Sequence, residues 1–144
     1  IIEDEAYWNK CLSTAASLSS NVQFDYCGSL NYDQVLKTMS KYHVLLFPTL
    51  TENFGHVIVE AMQIGLIPVI SDNTPWKDLE KEGAGWALSL DEKRSFSNTI
   101  IKISNYDKNQ FLKQSKNARN YFNKSLNVKD IEKKYKIMFD SVLK

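Results

Sequence analysis

The sequence predicts an α/β domain built around a parallel sheet, and three observations predict it. Two continuous apolar runs, Val44–Phe47 (VLLF) and Ile67–Ile70 (IPVI), are too short for helices and suit buried strands. Each is followed by a loop of Pro, Thr, Asn, Asp or Ser, and a segment of helical periodicity separates the two. From Asp91 onward the pattern is helical throughout. Alternation of short strands with helices implies parallel pairing through crossover connections, with the helical tail packed back onto the sheet.

The elements follow in order. Glu3–Ser20 places Trp8, Leu12, Ala15 and Ala16 at helical spacing with acidic residues in the first turn, so a helix is expected. Asn21–Gly28 alternates Val22, Phe24 and Tyr26 and stops at a glycine, which predicts a short strand. Asn31 is placed to cap a helix running to about Lys41, with Val35, Leu36 and Met39 as its apolar stripe. The run Val44–Phe47 then reads as a strand buried on both faces, ended by Pro48. A helix is expected from Phe54 or Gly55 to Ile64, with Gly65 at its end.

Ile67–Ile70 is the next strand, its proline lying near the first residue. Thr74-Pro75 has the form of an N-cap followed by proline at the first helical position, predicting a helix that ends at Gly83-Ala84-Gly85. Trp86–Leu88 follows as a short strand. Phe96, Ile100 and Ile103 mark one tail helix; Phe111, Leu112, Ser115, Ala118 and Phe122 mark a second. Ile131, Tyr135, Met138, Phe139 and Val142 mark a third.

Composition narrows the function classes. The chain has 144 residues, 43% hydrophobic and 24% charged, and a formal net charge of +1. These are proportions of a globular chain with one sizeable core. Near-neutrality argues against an electrostatic nucleic-acid binder, and no apolar run approaches the ~20 residues of a membrane span. Cys11 and Cys27 lack a C-x-x-C partner and His43 and His56 lack an H-E-x-x-H pattern, so neither a redox pair nor a zinc site is expected. Lys129, Lys133, Lys134 and Lys136 read as a solvated helix face, with peripheral contact to an anionic membrane as the alternative.

In open parallel sheets, ligands bind beyond the carboxyl ends of the strands. The loop Pro48–Phe54 leads from a predicted strand straight into a helix. The N–H groups near Gly55, His56 and Val57 would have no intrahelical acceptor, and the partial positive charge there suits phosphate. On that helix His56, Glu60 and Gln63 share one face, with Val57, Ile58, Ala61 and Ile64 opposite. Glu60 lies about 6 Å along the axis from His56, within reach of hydroxyls on a group attached to that phosphate. Glu52, before the helix tip, would serve hydroxyls on its other side. Spacing alone leaves a plain solvent face open as an alternative.

The stretch Glu52-Asn53-Phe54-Gly55-His56-Val57-Ile58-Val59-Glu60 resembles the E-x7-E signature of the group 1, or family 4, retaining glycosyltransferases. Gly65-Leu66-Ile67-Pro68-Val69 and Gly83-Ala84-Gly85 are similar to the family's following turns, and Gly28 fits the same order. The resemblance implies the C-terminal, Rossmann-like donor half of a GT-B fold, covering residues 22 to 90 closely. It implies that Glu60 binds the donor ribose and Glu52 the donor sugar. Asn53, Phe54, Gly55, His56 and Val57 would line the diphosphate turn, and Gly28 with its neighbours would face the nucleobase.

Glu52 is thereby the residue nearest the chemistry. No metal and no cofactor is implied, and the substrates would be a nucleotide-diphosphate sugar and a saccharide or lipid-linked acceptor. The segment bearing the family's diphosphate-gripping Arg and Lys precedes the matched region. The expectation is therefore a single donor-binding domain over 1–144, truncated at its N-terminus and without the acceptor domain, and inactive or nearly so alone. The run Ser71–Trp76 resembles bacterial enzymes of cell-surface polysaccharide synthesis, which would place the protein in the cytoplasm or at the inner membrane face. The competing class is a non-catalytic module, receiver-like or sugar-nucleotide-binding. The strand end Pro48-Thr49 lacks the aspartate a receiver needs.

Overall fold

The computed structural model describes residues 4–126 and 135–141. The chain divides into two compact units, Ile1–Val35 and Leu36–Lys144.

In the first unit, helix α1 (Glu5–Ala16) begins where Asp4 accepts a hydrogen bond from the Tyr7 N–H at 2.9 Å, so the acidic first turn has a capping role. Trp8, Cys11 and Ala15 are its half-covered positions. Tyr26 lies against Trp8 with ring centroids 4.7 Å apart. The strand expected over 21–28 does not form. The segment is irregular and unpaired, and Val22, Phe24 and Tyr26 are 48%, 49% and 56% exposed. Alternation shows that a segment could lie half-buried in a sheet; only a partner's backbone groups make it a strand. Helix α2 (Tyr32–Met39) crosses into the second unit. At its start the Asn31 N–H is accepted by the Gln34 side chain, so the glutamine caps where the asparagine was expected to.

The second unit holds a three-stranded parallel sheet in the order β1 (Val44–Phe47), β2 (Ile67–Ser71), β3 (Trp86–Leu88). Val44 pairs with Ile67, and Val69 with Trp86. The central strand β2 is buried along its whole length, as its unbroken apolar run requires. Strand β1 departs from the expectation of burial on both faces: Leu46 is 52% exposed. Among the described residues β1 is an edge strand, so its apolar run is half-covered.

Helix α3 (His56–Ile64) connects β1 to β2, and α4 (Lys93–Ser104) and α5 (Lys108–Ser125) follow β3. Alternate residues of β2 point to opposite faces. Ile70 joins Ile58, Met62, Trp76, Leu79, Ala84 and Ala118 on the side of α3 and α5. Ile67 and Val69 meet Ile103 of α4, with Phe96, Ile100 and Phe111 around them. The sheet is thus covered by helices on both sides, a Rossmann-like layering.

The helix expected after Thr74-Pro75 is absent; residues 75–85 form turns. The Thr74 hydroxyl does accept from the Trp76 N–H, as an N-terminal cap would. Trp76 and Leu79 are then drawn into the core, 6% and 0% exposed. Of the backbone bonds that follow, the Glu82 N–H to Asp78 carbonyl bond alone has the i to i−4 spacing of an α-helix; those of Lys77, Gly83, Ala84 and Gly85 close turns of other sizes, and one helical turn is too few to sustain a helix. The first two tail helices form as expected. The third is present over 135–141, with Tyr135, Met138 and Phe139 exposed; Ile131, Val142, Lys129, Lys133 and Lys134 lie outside the described residues.

Candidate functional site

Helix α3 starts in an uncommon way. A helix N-cap is usually an extended Ser, Thr, Asp or Asn whose side chain occupies the first free N–H groups. Here the cap is Gly55 in the left-handed region, φ 78° and ψ 63°, and no side chain caps the helix. A Cβ at this position would lie 2.7 Å from Ile58 Cδ1 and 3.2 Å from Glu52 Cγ, so both conformation and space demand glycine. The Gly55 carbonyl accepts from Ile58 and Val59 at 2.9 and 3.1 Å. The N–H groups of His56 and Val57 precede those bonds at the positive end of the helix dipole.

The sequence pattern predicts the inner face of α3 in part: Val57 and Ile64, expected there, are half-buried, and Met62 was not among the residues expected. Ile58, Ala61 and Met62 are buried, whereas His56 and Gln63 are exposed and Glu60 is half-exposed. The apolar side of the helix therefore orients Glu60 outward one turn beyond the tip. At the other end Gly65, φ 85°, closes the helix, where its N–H donates to Met62. Helix α5 holds this end: the Ser115 hydroxyl donates to the Gly65 carbonyl at 2.7 Å and the Arg119 guanidinium to the Ile64 carbonyl at 2.9 Å.

The loop Pro48–Phe54 is tied to the end of β2 and the segment beyond it by three bonds. The Ser71 hydroxyl donates to the Thr49 carbonyl at 2.6 Å, the Glu52 N–H to the Asn73 carbonyl at 3.2 Å, and the Trp76 indole to the Phe54 carbonyl at 2.6 Å. Glu52 turns its carboxylate back toward the Phe54 N–H, 3.3 Å away. Asn53 and Phe54 are exposed, and the Phe54 ring lies 4.9 Å from that of His56. Glu52, Asn53, Phe54, Gly55, His56, Val57 and Glu60 are thus gathered at the carboxyl end of β1 and the tip of α3. Gly28 belongs to the first unit; it is exposed with φ 66°, and a Cβ there would meet nothing within 4 Å.

Chemically, this assembly offers free backbone donors, two carboxylates and an aromatic edge: a surface for an anion bearing hydroxyl groups. Among the described residues no three His, Cys, Asp or Glu side chains gather as metal ligands would. The sequence reading overlooked the three loop anchors, of which Ser71 and Trp76 act through side chains. An aromatic residue just after a proline in a polar stretch was the available signal for Trp76.

Comparison with known proteins supplies a family. A family model described as "Glycosyl transferases group 1" matches residues 2–121. Over 39 residues the chain is 51% identical to the phosphatidylinositol N-acetylglucosaminyltransferase gpi3 subunit of Schizosaccharomyces pombe. That match covers 27% of this chain and 9% of the length of the subunit.

Proposed function

The chain belongs to the group 1 glycosyltransferases, and from that premise we propose that its second unit grips the sugar-nucleotide donor at the tip of α3. In this reading the protein transfers a sugar, with retention and without a metal, from a nucleotide-diphosphate donor to a saccharide or lipid-linked acceptor. The observation that carries it is the uncapped, glycine-started N-terminus of α3 with Glu60 on its open face.

The roles follow from chemistry. The diphosphate is both the most charged part of the donor and the leaving group. Free N–H groups at His56 and Val57 stabilise its charge without desolvating a side chain, and that stabilisation grows as the glycosidic bond breaks. A leaving group so stabilised needs no general acid, so Glu52 and Glu60 serve as acceptors for hydroxyls rather than as a glycosidase pair. Glu60 takes the ribose and Glu52 the sugar undergoing transfer. Hexosyl transfer in the assembly of cell-surface polysaccharide or glycolipid, at the cytoplasmic side of a membrane, is the setting we propose. The name of the fission-yeast relative supports a lipid-linked acceptor.

Titration of the chain with UDP, GDP and CMP, read by amide chemical shifts, tests this. Shifts should cluster at Glu52–Glu60 for one nucleotide, and those at Gly28–Leu30 report separately on nucleobase contact. Shifts confined to other parts of the chain for all three would defeat the assignment. Glu60→Ala should weaken nucleotide binding by about tenfold or more, the worth of hydrogen bonds to a charged group. Because Glu60 is half-exposed, stability should change by no more than about 0.5 kcal/mol.

A further inference from the structure

We propose that Trp76 is a positioning residue for the donor loop, holding the Phe54–Gly55 segment in the conformation that exposes the N–H groups of α3. The proposal rests on the donor reading above for its consequence, and on geometry for its cause.

Trp76 is the most buried tryptophan, 6% exposed, yet it comes from an irregular segment rather than a helix or strand. An indole buried in an apolar cluster keeps its N–H only at a cost unless an acceptor is supplied. The acceptor is the Phe54 carbonyl, at 2.6 Å, the last carbonyl before the Gly55 cap. The same indole meets the Phe54 ring edge-on at 5.8 Å and the Tyr121 ring of α5 at 6.1 Å. The Trp76 backbone N–H donates to the hydroxyl of Thr74, itself buried. One side chain thus couples the core, helix α5 and the peptide unit that joins Phe54 to Gly55. Rotation of that peptide would carry the left-handed cap out of place, and with it the aim of the His56 and Val57 N–H groups. The other two loop anchors, at Thr49 and Glu52, lie farther from the cap.

The test compares two variants of the full chain. W76F removes the indole donor and keeps an aromatic ring; L79A removes apolar bulk from the same cluster and leaves the indole bond in place. Amide hydrogen exchange at Glu52, Ile58 and Val59, whose N–H groups bond the Asn73 and Gly55 carbonyls, should quicken about tenfold or more relative to β2 in W76F and stay near wild type in L79A. Affinity for UDP or GDP, measured by calorimetry, should fall about fivefold in W76F, the scale of one hydrogen bond, and little in L79A. Equal loop exchange in the two variants would overturn the anchoring, leaving only general destabilisation. A wild-type chain that binds neither nucleotide overturns the donor role while the exchange contrast still decides the anchoring, so the two failures are told apart. Should W76F not fold, the wild-type Trp76 indole proton is read directly. It should exchange with water far more slowly than that of Trp8, and exchange as fast as Trp8 would overturn the proposal.

Discussion

Two segments of this chain, 21–28 and 67–71, share the sequence character of strands and have opposite fates. Ile67–Ser71 is the central strand of the sheet, paired on both sides and fully buried. Residues 21–28 are irregular, unpaired and exposed throughout. The difference is not propensity, since Val, Phe and Tyr favour strands as Ile and Val do. It lies in what each segment meets. The ladder of β2 is completed by β1 and β3 while α3, α5 and α4 cover its two faces. The alternating segment meets one helix, through Tyr26 and Trp8. Strand identity is conferred by the neighbours, and apolar residues only make a segment eligible.

The largest expected effect follows from this contrast. Ile70→Ala should lower the unfolding free energy by about 2–5 kcal/mol, because the side chain is wholly enclosed and the site cannot collapse fully. Phe24→Ala removes a larger side chain that is half-exposed, and should cost roughly 1 kcal/mol or less. Urea unfolding of both variants measures the ratio. A Phe24 loss as large as the Ile70 loss would break the comparison.

Glycines give a finer version of it. Gly65 and Gly28 both have positive φ, 85° and 66°, so alanine is strained at each by about 1–2 kcal/mol. At Gly65 a Cβ would also stand 2.6 Å from the Arg119 Nε and the Ser115 hydroxyl oxygen, disrupting the bonds that hold the end of α3. At Gly28 it meets nothing. Gly65→Ala should therefore destabilise clearly more than Gly28→Ala, which thermal unfolding can rank. Equal losses would mean that backbone strain alone sets the cost.

The smallest effect belongs to the surface of the second unit. Lys124 hydrogen-bonds Glu82 at 2.7 Å, which holds the carboxyl below its ordinary value of 4.5 and the ammonium above its ordinary 10.5. A carboxyl lowered by folding stabilises above its unfolded value and loses that contribution as pH falls through the lowered one. An ammonium raised by folding stabilises below 10.5 and loses the contribution as pH rises through the raised value. The pair should thus give a slight, salt-sensitive plateau between these limits, since exposed ion pairs are weak and screened. Lys124→Ala should flatten it, and urea midpoints at pH 3, 7 and 11 in low and high salt, each roughly set, would show whether it does.

Much of the site was legible before the structure. The apolar stripe of α3 assigns Ile58 and Ala61 inward and Glu60 outward with no tertiary information, since a helix has a fixed period; Met62, also buried, was not read from it. Gly55 and Gly65 bracket the helix as their lack of a Cβ permits. The loop anchors were not legible, because a side-chain bond such as Trp76 to Phe54 joins residues 22 apart in sequence through a core that has no sequence signature. For the same reason the cap signal at Thr74-Pro75 predicted a helix where burial of Trp76 and Leu79 left only turns.

The sequence by itself determined the α/β class, the three sheet strands to within a residue, and the helix face that presents Glu60. These follow from local periodicity and backbone sterics, which a reader of the chain can apply residue by residue. Only the tertiary structure decided that 21–28 stays unpaired, that β1 is half-open, and that the Pro48–Phe54 loop is tied to an indole. Each of those outcomes depends on which backbone groups and cavities a distant segment brings within a few ångströms, and no local pattern encodes that.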